Sequence, residues 1–97
     1  MAAGKRAKTD EANRFKGETV VVDTAGTYIY IGTFKEMTDR FLTLIDADVH
    51  DVAEGGSSKE MDALETRRHG IQKNRREVLV RNDVIVSMSK LDDVILF

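Results

Sequence analysis

The side chains that could do chemistry in this 97-residue sequence are few, and the first group of them is acidic. The chain has two histidines and no cysteine, which excludes disulfides, thiolate metal sites and cysteine nucleophiles. Asp46, Asp48 and His50 alternate, so an extended backbone puts them on one side of a strand. A calcium loop is excluded, because Asp51 stands where glycine is required and Ser57 stands where glutamate is required. We interpret this segment as a solvated strand face and expect neither a metal nor another cofactor.

The second group is a dense basic cluster in the later part of the chain. Two interpretations stay open: a solvated face neutralised by nearby helix carboxylates, or a phosphate-binding rim. The cluster consists of Arg67, Arg68, Lys73, Arg75 and Arg76, and the carboxylates are those of Glu60, Asp62 and Glu65. Ser57 and Ser58 have no histidine placed to activate them, and Gly55-Gly56 is not followed by the Lys-Ser/Thr of a phosphate loop. We therefore do not expect an enzyme.

Composition limits the classes of protein further. Fifteen Lys and Arg against 17 Asp and Glu give a formal charge of −2, so no global positive field attracts nucleic acid. No apolar run approaches the ~20 residues that span a bilayer, so we expect no membrane partner. The basic N-terminus lacks the apolar core of a secretory signal, and we expect a cytoplasmic protein. The length fits one domain over residues 9–97, preceded by a disordered arm over 1–8.

Hydrophobic patterning predicts a short helix and then five strands. Thr9 or Asp10 can cap the helix, which Ala12 and Phe15 anchor and Gly17 ends. The strands are predicted at 19–23, 27–35, 41–45, 77–81 and 84–88, with Ala47 and Val49 as candidates to extend the third. Gly32 falls inside the second strand, where a missing side chain permits a sharp bend. These elements indicate a mainly β protein, a small five-stranded, strongly bent antiparallel barrel.

An insert at about 51–74 separates the third and fourth strands. Glu54 to Ser57 has the composition of a loop, and Ser57 with Glu60 forms a capping-box pair. We expect a helix near 58–68 that Gly70 ends.

Two motifs in this order resemble those of the Sm and Sm-like (LSm) family. The first is Asp39-Arg40-Phe41-Leu42-Thr43-Leu44 after the glycine-bent strand, similar to the family's Asp-x-aromatic-Met-Asn-Leu pattern. The second is Val80-Arg81-Asn82-Asp83-Val84, similar to the family's hydrophobic-Arg-Gly-Asp-Asn pattern. The resemblance covers residues 10–50 and 77–90 and leaves the insert outside.

The resemblance implies a closed homo-oligomeric ring of about five to eight subunits. Members of the family pair the fourth strand of one copy with the fifth strand of the next. Two apolar strands would then form the subunit interface, with Val78, Leu79 and Val80 on one side and Val84, Ile85 and Val86 on the other. An exposed apolar strand edge also needs a partner on general grounds.

The resemblance also implies that single-stranded RNA, often uridine-rich, binds at the ring pore. Carried over to this sequence, Phe41 would stack on a base, Arg81 would cover its other face, and Asp39 would orient neighbouring groups. Thr43 stands where an Asn usually reads the uracil edge, which weakens uracil selectivity, and Asp83 matches the acidic position of the second motif. Asn82 replaces a glycine that often has unusual backbone angles.

Alternatives remain at each of these positions. Phe41 can be core, Arg81 can form an ion pair, and Asp39 can cap a turn. An ungapped alignment would instead put Arg40 and Leu42 in the binding positions. A further hypothesis is a ring that acts as a protein-interaction scaffold with weak or no RNA binding, using the insert and the apolar segment 94–97.

Overall fold

A computed structural model describes residues 11–96, so the predicted arm, the caps Thr9 and Asp10, and Phe97 lie outside the described residues. Residues 11–13 are helical, and five antiparallel strands form one sheet in the order β4-β3-β2-β1-β5. The strands are β1 Thr19–Thr24, β2 Tyr28–Met37, β3 Phe41–Asp51, β4 Arg75–Arg81 and β5 Ile85–Lys90. The helices are α1 Val52–Gly55 and α2 Lys59–His69, with 3-10 turns at Asn82–Val84 and Leu91–Asp93. The mainly β class, the five strands and the short N-terminal helix are confirmed.

The sheet bends where β2 crosses β3. A Cβ on Gly32 would lie 2.8 Å from the Cβ of Ala47 and 3.0 Å from its Cα, closer than packed atoms allow. Beside this close approach the register shifts between Ile31 and Thr33, and Asp46 adopts a left-handed φ of 50°. The extra residue of this bulge lets β3 continue to Asp51 around the bend. Glycine at position 32 therefore allows the strands to approach closely, as the sequence predicted.

Apolar side chains pack on both faces of the sheet. The concave face holds a core of Val20, Val22, Phe34, Leu42, Leu44, Ala47 and Val80, with Ala12 and Phe15 of the N-terminal segment packed against it. The convex face holds a smaller cluster of Val21, Ile29 and Ile31, covered by Val52, Ala63, Ile71, Leu91 and Val94. The insert and the C-terminal segment therefore form a lid on the outer surface of β1 and β2.

The insert is helical, but two details differ from the prediction. The N-cap of α2 is Ser58, whose hydroxyl accepts from the Met61 N–H at 3.1 Å, so the Ser57–Glu60 capping box is wrong by one residue. The predicted loop from Glu54 begins inside α1, which Asp51 caps by accepting from the Ala53 N–H at 3.0 Å. The end of α2 at Gly70 is confirmed.

Lys59 fastens α2 to the turn between β1 and β2. Its ammonium donates to Asp23 Oδ1 at 2.7 Å and to the carbonyls of Thr24 at 2.8 Å and Gly26 at 2.6 Å. Three acceptors around one ammonium fix the start of the helix over the convex face.

The sheet has two free edges, because β4 and β5 lie at its opposite ends and do not pair with each other in the described chain. One predicted boundary is wrong: Val84, expected in the fifth strand, closes the 3-10 turn, and its carbonyl accepts from the Ala25 N–H at 2.8 Å. Among the described residues, no helix is long and apolar enough to cross a membrane.

Candidate nucleic-acid interface

Two loops meet at one end of the sheet, where the two sequence motifs lie. Asn82, in the β4–β5 turn, donates its backbone N–H to the Arg40 carbonyl at 2.9 Å and its side-chain amide to the Thr38 carbonyl at 2.7 Å. The Thr38 hydroxyl in turn accepts from the Phe41 N–H at 3.1 Å. These bonds hold the β2–β3 loop against the β4–β5 turn and bring residues about 40 positions apart into one surface.

Asn82 makes these two bonds with its side-chain amide and its backbone N–H, and its backbone angles are ordinary. Among the described non-glycine residues, Asp46 has the positive φ, so Asn82 does not use the conformation for which a glycine would be selected. The sequence analysis did not predict that Thr38 and Asn82 connect the two loops. A threonine ahead of a polar turn was the available signal, since such hydroxyls bond backbone N–H groups two or three residues on.

Phe41 and Arg81 form the centre of this surface. They are directly opposite each other on β3 and β4, which puts their Cβ atoms about 5 Å apart on the same face. Phe41 is 36% exposed, so its ring is not part of either core. The Arg81 side chain is 68% exposed, and Nη2 donates to Asp83 Oδ2 at 2.5 Å. One carboxylate fixes the guanidinium from one side and leaves its planar face and other N–H groups accessible.

The other predicted RNA-binding positions are not all exposed on this surface. Asp39 is exposed in the same loop as Thr38. Thr43 is 8% exposed, between Glu36 of β2 and Leu79 of β4, so little of the residue is open to a ligand. Leu42 is fully buried in the concave core. The ungapped alternative, which needs Leu42 as a contact residue, is therefore incompatible with this structure.

The predicted interface strands are the two free edges of the sheet. Their side chains have different surroundings: Val80 is buried, Val78 and Ile85 pack on the concave core, and Leu79, Val84 and Val86 are exposed. The exposed fractions of Leu79 and Val86 are 52% and 64%. Both edges therefore combine unpaired backbone groups with exposed apolar side chains.

The acidic group of the sequence lies elsewhere, and its interpretation as a solvated face holds for Asp46 but only in part for Asp48 and His50, which are half-buried. Asp48 and His50 lie under α2, where His50 Nε2 is 3.5 Å from Asp62 Oδ2. Burial raises the pKa of Asp48, His50 opposes the rise, and Asp62 adds to it. Within residues 11–96, no three His, Asp or Glu side chains are grouped to hold a metal ion.

The basic cluster surrounds the other end of β4 and is only partly neutralised. Lys73 Nζ lies 3.7 Å from Asp46 Oδ1, and Arg75 donates to the Asn74 carbonyl at 3.0 Å. Arg68 and Arg76 are exposed and make no hydrogen bond or ion pair with any other described residue. The expected carboxylate partners face other groups, since Asp62 lies beside His50 and Glu65 is 3.3 Å from His69.

No family model matches this sequence, and no curated protein matches it. A solved structure does: the Sm protein of Pyrococcus abyssii in complex with a uridine heptamer. The two are similar over 84% of this chain and 93% of that one, with a TM-score of 0.57 and 16% sequence identity. Five antiparallel strands in one bent sheet, short helices at the N-terminus and after β3, and this similarity show that the chain has the Sm-like fold.

Proposed function

We propose that this protein is a ring-forming subunit that binds single-stranded RNA, with uridine-rich RNA as the first candidate. The observation that carries the proposal is the pairing of Phe41 with Arg81 on one face, in a fold shared with an Sm protein that binds a uridine heptamer. An exposed aromatic ring can stack on a base, and a guanidinium plane can cover it. We place this RNA binding in the cytoplasm and propose no catalytic role.

A ring would bind RNA more tightly than one copy of the site can. Around Phe41 and Arg81 the charges nearly cancel, because the carboxylates of Asp39 and Asp83 accompany the cations of Arg40 and Arg81. One copy therefore attracts phosphate weakly, and stacking must supply most of the affinity. About five to eight copies of the site around one pore would bind successive nucleotides and raise the effective affinity without any new contact.

Free strand edges support assembly into a ring. The exposed edges of β4 and β5 each present unpaired backbone groups, and each edge can pair with the opposite edge of a different neighbouring copy. A closed cycle of such contacts satisfies every edge, whereas an isolated monomer leaves two exposed.

Fluorescence anisotropy with a labelled uridine heptamer tests the RNA site. Stacking on an aromatic ring contributes about 1–3 kcal/mol per base, so Phe41→Ala should weaken binding at least about fivefold. Phe41→Tyr should retain most of the affinity, and Arg81→Ala should lose affinity with the ring intact. Tyr28→Ala is the matched control, because it removes an exposed aromatic ring that lies beside Asp51, at the opposite end of β3 from Phe41. Wild-type affinity in both Phe41→Ala and Arg81→Ala would refute the proposed site.

A second candidate function is a protein-interaction scaffold, and two observations favour it. Thr43 is 8% exposed and Arg81 is bound to Asp83, which limits access to one base-reading residue and occupies part of one cation. Ile95 and Leu96 are 72% and 41% exposed beyond the packed Val94. An assembled ring that binds no heptamer at low salt, and whose partners in cells are proteins alone, would favour the scaffold.

A further inference from the structure

The two free edges of the sheet carry opposite charges. β4 has three cationic side chains, Arg75, Arg76 and Arg81, and one anionic side chain, Glu77. The Glu77 carboxylate lies 3.4 Å from Lys35 of the same chain. β5 and its flanking turns have three aspartates, Asp83, Asp92 and Asp93, against Lys90. One edge is therefore basic and the other acidic, although the whole chain is nearly neutral.

Two arginines at the β4 edge and two aspartates at the β5 edge have no ion-pair partner among the described residues. Arg75 and Arg76 begin β4, and Asp92 and Asp93 follow the end of β5; all four are exposed. Three strands separate β4 from β5 in the sheet, so the two pairs cannot meet in one copy. Arg76, Asp92 and Asp93 make no hydrogen bond or ion pair with another residue in the range 11–96, and Arg75 bonds a neighbouring carbonyl.

Antiparallel edge pairing brings these charges together in one arrangement only. If β5 of one copy pairs with β4 of another, its last residues lie beside the first residues of β4, and the aspartates meet Arg75 and Arg76. If β4 pairs with β4, Arg75 and Arg76 lie beside Arg81 of the other copy, whose guanidinium already donates to its own Asp83. If β5 pairs with β5, Asp92 and Asp93 lie beside Asp83, which already accepts from that arginine. Neither symmetric contact therefore gives Arg75, Arg76, Asp92 and Asp93 a free partner of opposite charge.

We propose that these charges select the partner and polarity of edge pairing: the acidic end of β5 in one copy forms ion pairs with the basic start of β4 in the next. The inference rests on the proposed ring and adds what chooses the head-to-tail contact over two symmetric ones. A symmetric β4–β4 or β5–β5 contact would stop at a dimer, whereas the head-to-tail contact repeats and closes. The charges thus favour the head-to-tail contact over the symmetric ones, because only there do all four meet partners of opposite charge.

Charge reversal separates this inference from a general effect on folding. The acidic end is reversed in Asp92→Arg/Asp93→Arg, and the basic start in Arg75→Glu/Arg76→Glu. Each variant alone faces like charges at every head-to-tail contact, and we expect the apparent dissociation constant of the assembly to rise at least about tenfold. In an equimolar mixture every contact between unlike variants is again complementary, so a ring with an even number of subunits should reassemble fully by alternation, and a ring with an odd number should keep one like-charge contact. A chain with all four substitutions should assemble by itself.

Sedimentation velocity at low ionic strength measures these states, and circular dichroism checks that each variant is folded. Glu36→Arg/Glu54→Arg is the matched control, since it reverses two exposed carboxylates away from both edges and should assemble like wild type. Reversal variants that assemble like wild type, or a chain with all four substitutions that does not assemble, would overturn the charge selection and leave the ring standing. A wild-type protein that is a monomer under the same conditions would refute the ring itself.

Discussion

Replacing Gly32 by alanine tests the geometry that bends the sheet. The added methyl would lie 2.8 Å from Ala47 Cβ, 3.0 Å from Ala47 Cα and 3.2 Å from the Ile45 carbonyl oxygen. Two of these three atoms belong to the backbone of β3, so no side-chain rotation can relieve the clash. β2 and β3 must separate, or the bulge at Asp46 must change.

The expected cost follows from the place of this close approach in the concave core. Overpacking a close-packed core typically costs about 1–3 kcal/mol, and backbone atoms on one side favour the upper part of that range. For a domain of this size, 1 kcal/mol lowers the melting temperature by about 4–8 °C. We therefore expect Gly32→Ala to lower it by about 10 °C or more.

Urea unfolding monitored by circular dichroism measures this loss of stability. Gly26→Ala is the control, because a Cβ there has no atom within 4 Å, and we expect a change within about 0.5 kcal/mol. Ala47→Gly removes the nearest atom, so the double variant Gly32→Ala/Ala47→Gly should recover part of the loss. Recovery should be incomplete, since the added methyl would still lie close to the backbone of residue 47. Protein concentration must be matched, because assembly adds to apparent stability. A Gly32→Ala protein as stable as Gly26→Ala would refute the close approach.

Two further predictions concern the insert. Ser58→Ala should destabilise the protein by about 1 kcal/mol in urea unfolding because it removes the α2 cap, whereas Ser57→Ala should have little effect; the reverse order would restore the capping box predicted from sequence. Burial holds the pKa of Asp48 above its ordinary value, so the ionised carboxylate destabilises the folded protein at pH values above this raised pKa. The destabilisation decreases as the pH falls through the raised pKa, because the carboxyl group becomes neutral. Asp48→Asn should therefore raise the melting temperature at pH 7 and lose that advantage in acid; an equal gain at both pH values would exclude this cause.

The strand pattern could be predicted because it follows from local chemistry. A β-branched run indicated β1, and the single glycine inside β2 indicated the bend. The extension of β3 through Ala47 and Val49 was also anticipated, although its bulge was not. A bulge at Asp46 depends on how two strands cross, which no short window of sequence contains.

The wrong predictions likewise concern features that depend on contacts between distant parts of the chain. Ser57 and Ser58 are equivalent as caps, and only the path of the chain from α1 decides that Ser58 begins α2. Val84 has strand propensity, but its carbonyl bonds the Ala25 N–H of the neighbouring turn and keeps it in the 3-10 turn. Asp48 and His50 are half-buried because Asp62 of α2 lies beside His50, a long-range arrangement that alternation cannot reveal.

The candidate site was predicted in part. The two motifs contained Phe41 and Arg81, and the structure adds that these are direct neighbours across β3 and β4. Burial of Thr43 could not be read from its type, since a threonine in a strand is as compatible with solvent as with a packed edge. The clamp by Asn82 joins two loops about 40 residues apart and becomes visible only in three dimensions.

The most direct test of the proposed ring and its RNA site is native mass spectrometry of the purified chain with and without a uridine heptamer. We expect one closed stoichiometry of about five to eight copies that takes up one heptamer per ring, and loses that uptake in Phe41→Ala while the ring persists. A ring that ignores the heptamer at low salt would contradict RNA binding and favour the scaffold. A monodisperse monomer at micromolar concentration would contradict the ring and the pore site together.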